Sequence, residues 1–236
     1  MKRTAWGLLA MSLSFLLGTI IALGSMVAMR GKLDTATLTG QPLSVPTLLV
    51  SCLAPFAILL EIVAIILIVL DSRQVGRLHH RLSWVAVVFF VLWAIANLGG
   101  FLPLSLLGVQ RGEVSIVKLA QMIKAGAAIL QYLIPFLLAF SLTRKVPRVL
   151  LWFAVVLTTV GNFGVITLPI GGLTLQPVES FGQTMYAPQF AVDYTTGPYP
   201  ILLALGYTGG ALYMLVYALL TWQVWRGGNY PNQSPF

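Results

Sequence analysis

Six stretches of this sequence each run for about 20 residues or more with almost no charge, and that pattern leaves one fold class, a bundle of lipid-solvated helices. They cover roughly 5–28, 46–70, 84–107, 117–142, 149–170 and 199–225. A helix rising 1.5 Å per residue crosses about 30 Å of hydrocarbon in about 20 residues. Lipid offers backbone groups no hydrogen bonds, so a lone apolar stretch of this length must satisfy them within itself, as a helix. Only 8% of the 236 residues are charged and 58% are hydrophobic, against roughly a quarter charged in a soluble domain. Mean hydropathy is +0.91. No connection exceeds about 30 residues, which is too short for a soluble domain. The reading is an all-α polytopic bundle of six transmembrane helices, with residues 1–236 forming a single integral membrane domain. The apolar run from Ala5 to about Met29 exceeds the 7–15 residues of a signal-peptide core, so the first span is expected to be a retained helix.

The net charge of +8 does not point to nucleic acid, because a footprint for that partner clusters on a water-facing domain. Here the cations sit in membrane loops. Lys2, Arg3, Arg73, Arg77, Arg81, Arg144, Lys145, Arg148 and Arg226 fall on one side, whereas Arg30, Lys32, Arg111 and Lys118 fall on the other. Lys124 lies within a span. Short cytoplasmic loops carry the excess of Lys and Arg, so both termini are expected in the cytoplasm of a bacterial-type plasma membrane, with the lipid bilayer as the first partner.

Metal and redox chemistry find little to work with. Cys52 is the only cysteine, which excludes an internal disulfide, and it reads as a small apolar residue of span two. Both histidines, His79 and His80, fall in the loop "DSRQVGRLHHRLS" (71–83). Without a third ligand at metal spacing, that loop reads as solvated at the lipid headgroups. A haem would require His or Cys ligands inside the membrane. The sequence therefore names no cofactor and no metal site.

Small residues recur at four-residue spacing in span one (Ser14, Gly18, Ala22) and span six (Gly206, Gly210), which lets helix backbones approach closely. They can serve packing inside the bundle or a homo-oligomer face. Spans three and five share a pattern: each begins at a Trp (Trp84, Trp152), reaches an Asn near glycines (Asn97, Asn162) and ends in Leu-Pro (Pro103, Pro169). Two helical hairpins about 70 residues apart could thus be copies of one unit, although apolar helices also resemble one another by composition. Interrupted helices at matching positions mark binding sites in transporters. The plainer alternative is that Gly99-Gly100 and Gly161 to Gly164 end two helices near the outer surface. Gly99 lies about 22 Å along the helix from Trp84, nearer that surface than the midplane.

The connection 171–198 has no Lys or Arg, carries Glu179 and Asp193, and holds Phe181, Tyr186, Phe190 and Tyr194. Such aromatics favour the bilayer interface, so this outer loop is expected to lie folded across the outer face.

The feature that bears most on function is Glu61, inside "AILLEIVAIILIVLD" (57–71). It lies about ten residues, or roughly 15 Å, from the cytoplasmic end of span two. A charge near the midplane costs at least about 2.5–3.5 kcal/mol, which favours a neutral carboxyl or a cationic partner. Span four offers Gln121, Lys124 and Gln131 on one helical face, expected to look into the bundle. Lys124, about 9 Å inside the outer end, can alternatively snorkel to water. Asn97 and Asn162, with Thr158 and Thr159, could complete an intramembrane polar cluster or act as interhelical glue. Three function classes follow. The first is a small transporter or permease with a protonatable or ion-binding site at Glu61. The second is a non-catalytic subunit or assembly factor of a larger membrane complex. The third is a membrane enzyme, for which the sequence lacks convergent acids and histidines at the membrane surface.

Overall fold

The computed structural model describes residues 2–30, 45–180, 183–190 and 197–226. Cys52, Lys32, Phe181, Asp193 and Tyr194 fall outside the described residues or side chains. The chain is mostly helical, and six of its helical stretches are long and apolar enough to cross a membrane. In order they are α1 (Lys2–Arg30), α2 (Val45–Val75), α3 (Arg77–Ala94) continued by a π-helical turn (Ile95–Phe101) and α4 (Leu102–Arg111), α5 (Val114–Phe140), α6 (Lys145–Thr167) and α7 (Pro198–Trp225). Large apolar side chains such as Phe56, Leu98 and Ile201 are exposed, as lipid solvation requires and water would not favour.

Between α6 and α7 the structure departs from an all-helical reading. A 3₁₀ turn (Leu168–Gly172) leads into a hairpin of β1 (Leu173–Ser180) and β2 (Gln183–Phe190), antiparallel with Leu173 opposite Phe190 and Ser180 opposite Gln183. The described part of the connection 171–198 is thus largely a two-stranded sheet. Its prolines disguise it: Pro177 and Pro188 cannot donate to a ladder and mark an edge or a loop, yet each finds a place in a two-stranded sheet that has only edges.

The helical interruptions also resolve differently from the sequence expectation. Gly99 and Gly100 do not end span three; the helix widens to a π turn and runs on into α4, with Pro103 as its second residue. Gly161 to Gly164 lie within α6, which continues to Thr167.

By contacts the chain forms two compact units. The first comprises Met1–Trp84, Leu138–Ala154 and Gly209–Phe236; the second comprises Val85–Leu137 and Val155–Thr208. In the first, α1 and α2 run antiparallel. Gly7 makes this possible: a Cβ there would meet Ile68 Cγ1 at 2.8 Å and the Ala64 carbonyl at 3.0 Å. Further along, the Ser14 hydroxyl donates to the Ala57 carbonyl of α2 (2.9 Å), and Phe15 stacks on Tyr213 of α7 at 4.8 Å.

In the second unit, α6 and α7 touch at Gly161 and Gly206. A Cβ on Gly161 would lie 2.6 Å from the Leu202 carbonyl oxygen and 2.7 Å from Gly206 Cα. The hairpin closes over the α4–α5 corner, where Gly112 (φ 68°) sits beneath the Tyr186 ring. Tyr186 was singled out in the sequence as an interfacial aromatic; the structure makes it the packing contact of that corner.

Candidate functional site

Glu61 stands one residue past the centre of the 31-residue helix α2. Its neighbours along the helix are aliphatic, with Ala64, Ile65 and Ile68 buried and Leu59, Val63 and Ile66 exposed. Glu61 itself is half-buried. Among the described residues its carboxyl makes no hydrogen bond and no ion pair, so its companion has to be something else. On α7 of the same unit the fully buried Tyr217 phenol interacts electrostatically with the Glu61 carboxylate. Tyr217 is one turn beyond Tyr213, and Phe15 faces both rings, at 6.2 Å from Tyr217 and 4.8 Å from Tyr213. Ser14 meets the carbonyl of Ala57, one turn before Glu61. Phe15, Tyr213 and Tyr217 thus form an aromatic cluster between α1 and α7, whose Tyr217 interacts electrostatically with Glu61. None of these three aromatics stood out in the sequence, although Tyr213 and Tyr217 share a helical face at four-residue spacing.

The other residues singled out in the sequence belong to the second unit. Lys124 is exposed, and its ammonium lies 5.0 Å from the centre of the Phe101 ring. Phe101 is the last residue of the π turn, so the turn places an aromatic face under a cation, a contact typically worth about 0.5–1 kcal/mol when exposed. Gln121 and Gln131 are half-buried. Ala120, Ala127 and Ala128, all buried, share the helical face of Gln121, Lys124 and Gln131, and of the three polar residues only Lys124 is exposed.

Asn97 and Asn162 behave alike. Each side-chain amide donates to the carbonyl four residues earlier on its own helix, Asn97 to Trp93 (2.9 Å) and Asn162 to Thr158 (2.9 Å). Thr158 bonds back to Val155 (3.2 Å). The Thr159 hydroxyl is buried without a partner. The bonds of Asn97 to Trp93, Asn162 to Thr158 and Thr158 to Val155 each stay within one helix.

A second polar constellation lies where the sequence indicated only a solvated loop. Helices α2 and α3 are joined by Gly76 alone, at φ 146°, so residues 71–83 are nearly all helical. His79 is buried at 2% exposure, and its Nδ1 lies 2.6 Å from the Ser141 hydroxyl at the end of α5. His80 Nδ1 pairs with the Ser72 hydroxyl at 2.8 Å. Asp71 Oδ2 accepts from the backbone N–H and hydroxyl of Thr4 (3.2 and 3.4 Å). Arg148 donates to the Thr143 carbonyl (2.7 Å) and lies over the Phe140 ring. Among the described residues, no three His, Cys, Asp or Glu side chains gather as a metal site would require.

No family model, curated protein or solved structure matches this chain.

Proposed function

We propose that this chain is a small transporter or permease of a bacterial-type plasma membrane, with both termini cytoplasmic, in which Glu61 takes up and releases a proton or a cation. One observation carries the reading: Glu61 is mid-helix among aliphatic side chains and has no hydrogen-bond or ion-pair partner among the described residues. A carboxyl retained only as structural glue would have partners, because an unmet polar group in apolar surroundings costs several kcal/mol. A mobile companion, whether proton, water or cation, meets that need, and the buried Tyr217 phenol beside it offers a hydroxyl for relaying or orienting that companion. Lys124, Gln121, Gln131, Asn97 and Asn162, all in the other unit, are the further polar residues of this reading.

The test uses the purified full chain in proteoliposomes loaded with a pH-sensitive dye. Under an imposed proton or sodium gradient, wild-type protein should move protons or sodium, and Glu61→Gln should abolish that flux while keeping its melting temperature. A folded Glu61→Gln protein with unchanged flux overturns the reading.

The β1–β2 hairpin favours a second reading, a non-catalytic subunit or assembly factor of a larger membrane complex. It is a two-stranded sheet, and open strand edges pair readily with other chains. Recovery with other chains in fixed ratio, in native mass spectrometry of gently extracted membranes, would establish that reading. Recovery alone or as a homo-oligomer would remove it.

A further inference from the structure

Three buried polar atoms of the first unit have no partner among the described residues: His79 Nε2, Ser83 Oγ and Arg148 Nε. Buried polar groups are otherwise bonded almost without exception, so three together call for an explanation. They are also close in the fold. His79 and Ser83 are one turn apart on the same face of α3, with exposures of 2% and 0%. His79 is tied to Ser141, two residues before Thr143, whose carbonyl accepts from the Arg148 guanidinium. His79 and Arg148 are therefore both bonded to the corner between α5 and α6, and Ser83 lies one turn from His79 on α3.

Their chemistry points one way. Arg148 Nε can only donate. A serine hydroxyl can donate, and if the Ser141 hydroxyl donates to His79 Nδ1, the ring proton is held on Nε2, which then donates too. Three donors near one corner of the fold suit an acceptor with several oxygens. The surroundings have the matching sign, with Arg77 and Arg81 on α3 and Arg144 and Lys145 at the corner, all but Arg144 and Lys145 being in one helix. The one carboxylate of the described residues at this end, Asp71, is turned to Thr4.

We propose that His79, Ser83 and Arg148 form a binding site for a phosphate oxyanion at the arginine-rich end of the first unit. The headgroup phosphate of an anionic phospholipid and free phosphate share this chemistry; basic recesses between membrane helices take lipid headgroups in this manner, and Arg is suited to phosphate because its donors are fixed in a plane.

The experiment takes the full chain, delipidated in neutral detergent, and offers three probes: inorganic phosphate, phosphatidylglycerol and a phosphate-free galactolipid. Retention is read by native mass spectrometry and thermal stabilisation. Wild type should prefer phosphatidylglycerol or phosphate to the galactolipid, and Ser83→Ala and Arg148→Lys should each weaken that preference by about tenfold, the loss of one charge-assisted hydrogen bond. Phosphatidylglycerol binding without a phosphate response identifies the lipid as the source; a phosphate response alone identifies a free oxyanion. Ser83→Ala removes a hydroxyl that has no protein partner, so its unliganded melting temperature should not fall, and Arg148→Lys keeps the charge. Equal retention of all three probes by wild type overturns the site, as does unchanged retention in both variants.

Discussion

His79 Nδ1 and the Ser141 hydroxyl stand 2.6 Å apart, joining the start of α3 to the end of α5 across 62 residues of sequence. Both side chains are buried, at 2% and 3% exposure, so neither can replace the other with water. His79→Leu leaves Ser141 unmet, and the expected loss is about 1–3 kcal/mol. Thermal unfolding in detergent measures it, and Ser141→Ala in the same background should recover part of the loss. An unchanged melting temperature for His79→Leu would contradict this account.

Asp71 caps a helix that is not its own. Its Oδ2 accepts from the Thr4 N–H near the start of α1, where backbone donors lack intrahelical partners and the helix dipole favours negative charge. Asp71→Ala should cost about 1–2 kcal/mol, and Asp71→Asn less, because the amide oxygen still accepts. Comparing the two melting curves separates hydrogen bonding from charge.

The contact of Gly161 with Gly206 and Leu202 is backbone against backbone, so neither partner can swing aside. Gly161→Ala should cost about 1–3 kcal/mol through overpacking. Gly18→Ala is the matched control, since a Cβ there meets nothing within 4 Å. The two variants should differ in melting temperature by several degrees, and equal values would refute the close approach.

Gly112 combines a positive φ of 68° with a Tyr186 ring 2.8 Å from where a Cβ would be. Gly112→Ala should strain the α4–α5 corner and lift the hairpin by its tyrosine contact, exposing Gln183–Phe190 to proteases. Tyr186→Ala should give the same cleavage without backbone strain. A hairpin that stays protected in both variants would show that Tyr186 does not hold it.

Lys124 and Phe101 allow a small, specific test. Phe101→Leu keeps the apolar volume but removes the ring face, and should lower stability by about 0.5–1 kcal/mol only while Lys124 is present. A double-mutant cycle with Lys124→Gln isolates that coupling; a coupling near zero would dissolve the pair.

The sequence by itself determined the six helical spans, because hydropathy over about 20 residues is a local property and lipid leaves the backbone no alternative to the helix. It also located Glu61, since a carboxyl among aliphatics is visible without any fold. It did not reveal that His79 is buried, because the adjacent arginines match a solvated loop and the deciding partner, Ser141, is remote. The π turn escaped notice for a related reason: Gly-Gly before Pro permits a break, and only the packed helix chose to widen and continue. The hairpin was hidden by Pro177 and Pro188. The aromatic cluster of Phe15, Tyr213 and Tyr217 joins α1 to α7, and no local pattern encodes which helices become neighbours. Solvation was written along the chain, whereas neighbours, burial and the pairing of polar groups came from contacts between distant residues, which exist only once the helices have packed.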